Sequence, residues 1–154
     1  FVPDISYRFN DLTNFIENPN GSIGLRMNTL KCGFASIFQN PILGYGIGDV
    51  KDVLNECYIL FPKIFNGKYY NSHNQYISIL LSSGLLGFIG LIAMLVHSFL
   101  ISIKFKNLES FAILLLFSFM MFIENILERQ DGVLIFALFI NLFSFTNQTK
   151  NHKI

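Results

Sequence analysis

The sequence predicts an all-α, polytopic membrane helical bundle preceded by a helical, loop-rich periplasmic segment. Three observations predict it. Hydrophobic residues make up 52% of the 154 residues and charged residues only 14%, against about 25% charged in an ordinary soluble domain. The apolar residues crowd between Tyr76 and Phe145, whereas residues 1–71 are mixed and rich in turn signals. Within the crowded part, Ser82 to Ile103 holds no Asp, Glu, Lys or Arg and would reach roughly 33 Å as a helix, enough for the hydrocarbon core of a bilayer.

The same composition excludes other classes. The apolar content rules out intrinsic disorder. Eleven basic against ten acidic side chains, net +1, supply no basic surface for nucleic acid. The chain starts at Phe1 with no signal peptide, and the expectation is a C-terminal fragment of a larger membrane protein with upstream spans.

Three apolar segments divide residues 72–149. The first helix is expected to start near Ser72 or Asn74, either of which can cap an N-terminus. Its Gly84, Gly87 and Gly90 would let a neighbouring helix approach closely. His97 lies inside this span, where burial against a polar partner is the expectation. The second segment is Phe111 to Leu127, with Glu124 near one end. The third, Gly132 to Phe145, covers only ~21 Å unless it runs on to Thr149, and a re-entrant segment is the alternative.

Loop charges give the orientation. Lys104 and Lys106 separate the first two segments, and Lys150 and Lys153 follow the third. The intervening turn, with Glu124, Glu128, Arg129 and Asp131, is net acidic. The positive-inside rule then puts the lysines and the 150–154 tail in the cytoplasm, and residues 1–71 with the acidic turn outside.

In the outer segment, Asn18-Pro19-Asn20-Gly21 signals a turn and Ser22 an N-cap. Ile23, Met27, Leu30, Phe34, Ile37 and Phe38 recur at helical spacing, which predicts one amphipathic helix ended by Asn40-Pro41, with Arg26 off its apolar stripe. Gly44, Gly46 and Gly48 alternate in the following loop, whose backbone can approach another group closely. They do not form a nucleotide loop, having neither GxGxxG spacing nor a Walker lysine. Cys32 and Cys57 fit no metal-ligand spacing, and spacing alone leaves their pairing open. Arg8 and the stretch from Phe1 to Phe15 carry no readable motif.

Taken in order, these motifs resemble the O-antigen ligase and polymerase superfamily. The resemblance rests on Gly24-Leu25-Arg26, Asn40-Pro41-Ile42-Leu43-Gly44-Tyr45-Gly46-Ile47-Gly48, Ser72-His73-Asn74-Gln75-Tyr76, Gly84-Leu85-Leu86-Gly87 and the turn from Glu124 to Gly132. It implies a multi-pass glycosyltransferase of the bacterial inner membrane with its active-site loop on the periplasmic side. The implied donor is a glycan on undecaprenyl diphosphate and the acceptor a lipid A-core sugar; a polymerase would use a carrier-linked repeat unit instead. The implied reaction is inverting and uses no metal or cofactor.

The resemblance places the family's loop arginine at Arg26 and its loop histidine at His73. The chemistry suits them. A diphosphate leaving group needs a fixed cation rather than an acid, which an arginine provides. A sugar hydroxyl needs a base, which a histidine provides near neutral pH. Asn74 is expected to orient the imidazole. Arg129 is a candidate second diphosphate contact with Glu124 holding it, or else one half of an interfacial ion pair. A non-enzymatic rival, a transporter subunit, would carry polar residues along a membrane pathway. Here they collect at one end of the spans.

Overall fold

A computed structural model describes residues 21–65 and 68–151, and every regular element among them is helical. The order is α1 (Ser22–Ile37), α2 (Val50–Ile59), α3 (Pro62–Phe65), α4 (Gln75–Lys104), α5 (Leu108–Ile123), a 3₁₀ turn (Ile126–Glu128) and α6 (Gln130–Asn151). The Phe1–Phe15 stretch with Arg8, most of the Asn18–Gly21 turn signal and Lys153 lie outside the described residues.

Among the described residues, only α4 is long and apolar enough to cross a membrane. Just 22% of its most apolar stretch is buried, so it is not the wrapped core helix of a soluble domain. Asn74 starts it, its side-chain oxygen accepting from the backbone N–H groups of Tyr76 and Ile77 at 3.0 and 3.1 Å. The expected alternative, Ser72, does not cap. Helix α5 has 16 residues, about 24 Å, and Asn107 caps it through the Ser110 N–H. It stops at Ile123, short of the predicted Leu127, because the chain turns aside to meet the start of α4. Helix α6 starts at Gln130 and continues through Thr149 to Asn151. The α4–α5 hairpin and α6 share a core of Leu91, Leu95, Met121 and Phe136, with Phe117 edge-on to Phe136.

The glycines of α4 do not act as expected. Gly84 breaks the helix, at φ 62° and ψ −159°, a conformation essentially confined to glycine. What approaches it is a loop, not a helix. Tyr45 N and Gly46 N donate to the freed carbonyls of Leu81 and Ser82 at 2.7 and 2.9 Å, and Leu85 N donates to Pro41 O at 2.9 Å. The break therefore leaves its backbone groups partnered by the glycine loop. Gly44 and Gly46 supply the positive φ values that loop needs, 70° and 97°. Gly87 meets side chains of its own helix and Gly90 meets nothing. His97 is exposed rather than buried, because no described element packs on its side of α4.

Helix α1 forms where predicted, but its inner face differs. Gly21 stands at the N-cap, Ser22 is the first helical residue, and no side chain caps this end. Thr29, Cys32, Ser36 and Ile37 are buried, whereas Met27, Phe34 and Phe38 are exposed. Small residues face inward because α4 comes close: a Cβ on Gly33 would lie 2.7 Å from Ile77 Cγ2. The core beneath α1 joins Leu54, Tyr58, Phe65, Ile77 and Leu81. Burial pushes the Tyr58 phenol well above its ordinary pKa, so the ring packs neutral, stacked on Phe65 at 4.1 Å between centroids.

Cys32 and Cys57 form a disulfide, with their Cα atoms 5.7 Å apart. It ties α1 to α2 across 25 residues, a closure that removes about 3.5 kcal/mol of chain entropy from the unfolded state. Replacing either cysteine by serine should lower stability by about that amount in equilibrium unfolding of the outer segment. Gly84→Ala should cost about 1–3 kcal/mol from backbone conformation alone, and more because its Cβ falls on the Ile42 carbonyl. A thermal shift of the detergent-solubilised protein measures this, and Gly90→Ala, which meets nothing, should leave the midpoint unchanged.

Candidate functional site

The site forms where α4 begins and α5 ends. Residues 71–74 enter α4 without helical structure, and Glu124 and Asn125 leave α5 the same way. Non-helical backbone at the end of an apolar helix must find partners for its polar groups. Here the two segments supply them to each other. Asn74 Nδ2 donates to Phe122 O at 3.2 Å, the Tyr76 hydroxyl to Ser118 O at 3.0 Å, and Leu127 N to Gln75 Oε1 at 2.7 Å. Ser72 Oγ lies 3.3 Å from Asn125 Oδ1 and 3.0 Å from Asn74 O. Ser78 Oγ donates to a Glu128 carboxylate oxygen. Ser72, Gln75 and Asn125 are almost wholly buried, at 1, 3 and 2% exposure.

His73 sits inside this lacing with φ 47°, a left-handed conformation uncommon for a residue with a Cβ. Its backbone N–H donates to Asn71 Oδ1 at 3.3 Å. Its ring nitrogen Nδ1 lies 3.2 Å from Glu124 Oε2, with both side chains about 30% exposed. A carboxylate beside Nδ1 favours the tautomer with the proton there and the lone pair on Nε2.

Two expectations are corrected by this geometry. Asn74 does not orient the imidazole: its oxygen caps α4 and its nitrogen holds the end of α5. The orienting group is Glu124. Glu124 in turn does not hold Arg129, because its carboxylate is turned to His73. Helix α5 ends before Glu124, and the 3₁₀ turn holds Glu128. Arg129 is exposed at the end of that turn. Arg26 is exposed on α1, and among the described residues its guanidinium has no hydrogen-bond or ion-pair partner. The structure thus brings His73, Asn74 and Glu124 together and leaves the two arginines on the surface.

The sequence reading missed the buried amides of Gln75 and Asn125. Gln75, Ser78 and Ser82 repeat at i, i+3 and i+7 on an otherwise apolar helix, and that polar stripe was the available signal. Nothing local marks Asn125.

A membrane-length helix with a histidine–carboxylate pair at one end defines a class: a membrane-associated protein with a candidate acid–base group at the end of its apolar helix. The comparison with known families makes this particular. The family model described as O-antigen ligase matches residues 1–92, and the chain belongs to that family of membrane-associated, glycosyltransferase-type enzymes of O-antigen and lipopolysaccharide biosynthesis. The match includes Arg26, His73 and Asn74 and ends before Glu124 and Arg129. No curated protein and no solved structure matches the chain.

Proposed function

We propose that this chain carries the active site of a multi-pass inner-membrane O-antigen ligase, which moves a glycan from undecaprenyl diphosphate to a lipid A-core sugar on the periplasmic face. The observation that carries the reading is the His73–Glu124 pair, 3.2 Å apart at the mouth of α4. In the proposed mechanism Nε2 of His73 takes the proton of the acceptor hydroxyl, whose oxygen attacks the anomeric carbon of the donor. The bond to the diphosphate breaks with inversion, and the diphosphate leaves as an anion needing no proton. Glu124 fixes the imidazole tautomer and stabilises the imidazolium that forms.

Arg26 is proposed to bind the diphosphate. The register of α1 supports this. Gly33 packs on Ile77, and the loop after α1 docks further along α4, at Leu81, Ser82 and Leu85. The two helices therefore run in the same general direction. Seven residues before Gly33, about 10 Å and nearly two whole turns back, Arg26 falls on the same side of α1, toward the start of α4. Arg129, exposed beside the acidic turn, is the second proposed contact to the anion.

The outer placement has two independent supports. The site lies at the end of α4 and α5 opposite the turn bearing Lys104 and Lys106, and basic turns favour the cytoplasm. The Cys32–Cys57 disulfide belongs to an oxidising compartment such as the periplasm.

Transfer is measured in membranes of the full-length protein with a lipid-diphosphate-linked donor and a lipid A-core acceptor. His73→Ala should lower the rate by about 10²–10⁴-fold and Arg26→Ala by about 10²–10³-fold. Glu124→Ala should lower kcat by about 10–100-fold, the range for losing a group that orients a histidine. Parental rates in either of the first two variants would remove the assigned role. Single-repeat chains on the lipopolysaccharide of a deletion strain would identify a polymerase instead.

A further inference from the structure

A cleft of about 540 Å³ opens beside the His73–Glu124 pair, and the mechanism does not use it. Its walls come from the start of α2, the first turns of α4 and the segment from Asn125 to Glu128. Asn71, Ser72 and Asn125 line it, the immediate chain neighbours of His73 and Glu124.

Its chemistry is unusual for the flank of an apolar helix. Along α4 it is lined by Gln75, Ser78, Ser82 and Ser83. Gln75 and Asn125 are buried as residues, and each commits its carbonyl oxygen to the protein, on Leu127 N and Ser72 Oγ respectively. Neither amide NH₂ has a partner among the described residues. Neither belongs to the sealed, unsatisfied polar atoms, of which the Tyr58 hydroxyl is the one among the described residues. Both residues line the cleft, so a ligand there is the partner within reach of their NH₂ groups. Val50, Leu54, Ile79 and Leu127 add apolar surface, Glu128 adds an acceptor, and Lys51 adds a cationic donor on the α2 side. Fixed amide donors, hydroxyls, one carboxylate, one ammonium and an apolar wall match a sugar ring, which offers many hydroxyls and a C–H face. A lipid tail would leave these donors unsatisfied, at a cost.

We propose that this cleft is a glycan subsite, holding a sugar that does not itself react, one residue along the chain from the pair. This rests on the transferase reading above. The sugar belongs to either the donor glycan or the acceptor glycan, and the experiment separates the two.

Gln75→Glu and Asn125→Asp keep an oxygen for the bond each residue makes inside the protein and replace the NH₂ donor by a charged acceptor. Ser82→Leu fills the cleft from the helix side and guards against misfolding of the isosteric variants. In the full-length protein, each should raise KM for one glycan substrate about tenfold, as expected for one lost hydrogen bond, with kcat within threefold. A rise for the carrier-linked donor alone assigns the cleft to the donor, and a rise for the lipid A-core acceptor alone assigns it to the acceptor. Unchanged KM values in all three variants, or loss of kcat without a KM change, would overturn the proposal. A second readout is independent of turnover. Saturation-transfer NMR with soluble core oligosaccharide and with soluble repeat-unit oligosaccharide should give contact to one of them. His73→Ala should keep that contact and Gln75→Glu should lose it. Contact without transfer would sink the ligase reading and keep the subsite, whereas absence of contact with either sugar would sink the subsite.

Discussion

Asn74 and Gln75 each give a side-chain oxygen to backbone N–H groups, one at the start of α4 and the other on Leu127. The placement of everything functional depends on that pair of bonds. The first sets the residue at which α4 starts, and so the point at which residues 71–73 must be non-helical. The second pulls the chain after α5 across the mouth of α4. Between them they leave Glu124 no long reach to make: it arrives beside His73 because the backbone on both sides of it is already fixed. The left-handed conformation of His73 follows from the same constraint. A residue squeezed between an Asn71 contact and the Asn74 cap has few backbone choices, and histidine tolerates this one better than most side chains do.

A second constraint acts about two and a half turns further down α4. A helix broken at Gly84 inside an apolar stretch would strand carbonyl and N–H groups, which a lipid environment penalises. The loop of Pro41 to Gly46 takes those groups as its own partners. The outer segment is thereby keyed into α4 by backbone hydrogen bonds as well as by the apolar core of Leu54, Ile77 and Leu81. Its disulfide holds α1 to α2 independently of that keying. Arg26, on α1, is consequently positioned by contacts that lie well away from it, and its side chain remains free to meet an anion.

Helices were legible in the sequence wherever a long apolar run met a capping residue. The start of α4 at Asn74 came from such a signal, and the presence of α1 before Asn40-Pro41 from the helical spacing of its apolar residues, with no side-chain cap at its start. The inner face of α1 was not legible, because Met27 and Phe34 look like core residues while Thr29, Cys32 and Gly33 do the packing against a helix that comes too close for large side chains. The glycines of α4 were misassigned for a related reason: spacing shows that something approaches, not whether it is a helix or a loop. At the site, His73 was found by chain order and chemistry, but its partner was not. Glu124 lies 51 residues away, and only the three-dimensional turn after α5 decides that it faces an imidazole instead of Arg129.

The chemistry of the proposed transfer is asymmetric. A diphosphate departs as a stable anion, so the leaving side needs fixed positive charge and no proton donor. The acceptor hydroxyl needs one base and nothing more. A pair of carboxylates, as in enzymes that hydrolyse ordinary glycosidic bonds, would place negative charge where the diphosphate has to sit. A single histidine held by a single carboxylate avoids that. Its partial exposure then matters for turnover, because the proton must pass to water before the next acceptor arrives. A base sealed inside the bundle would retain it; one at the rim of the span, about 30% exposed, can release it.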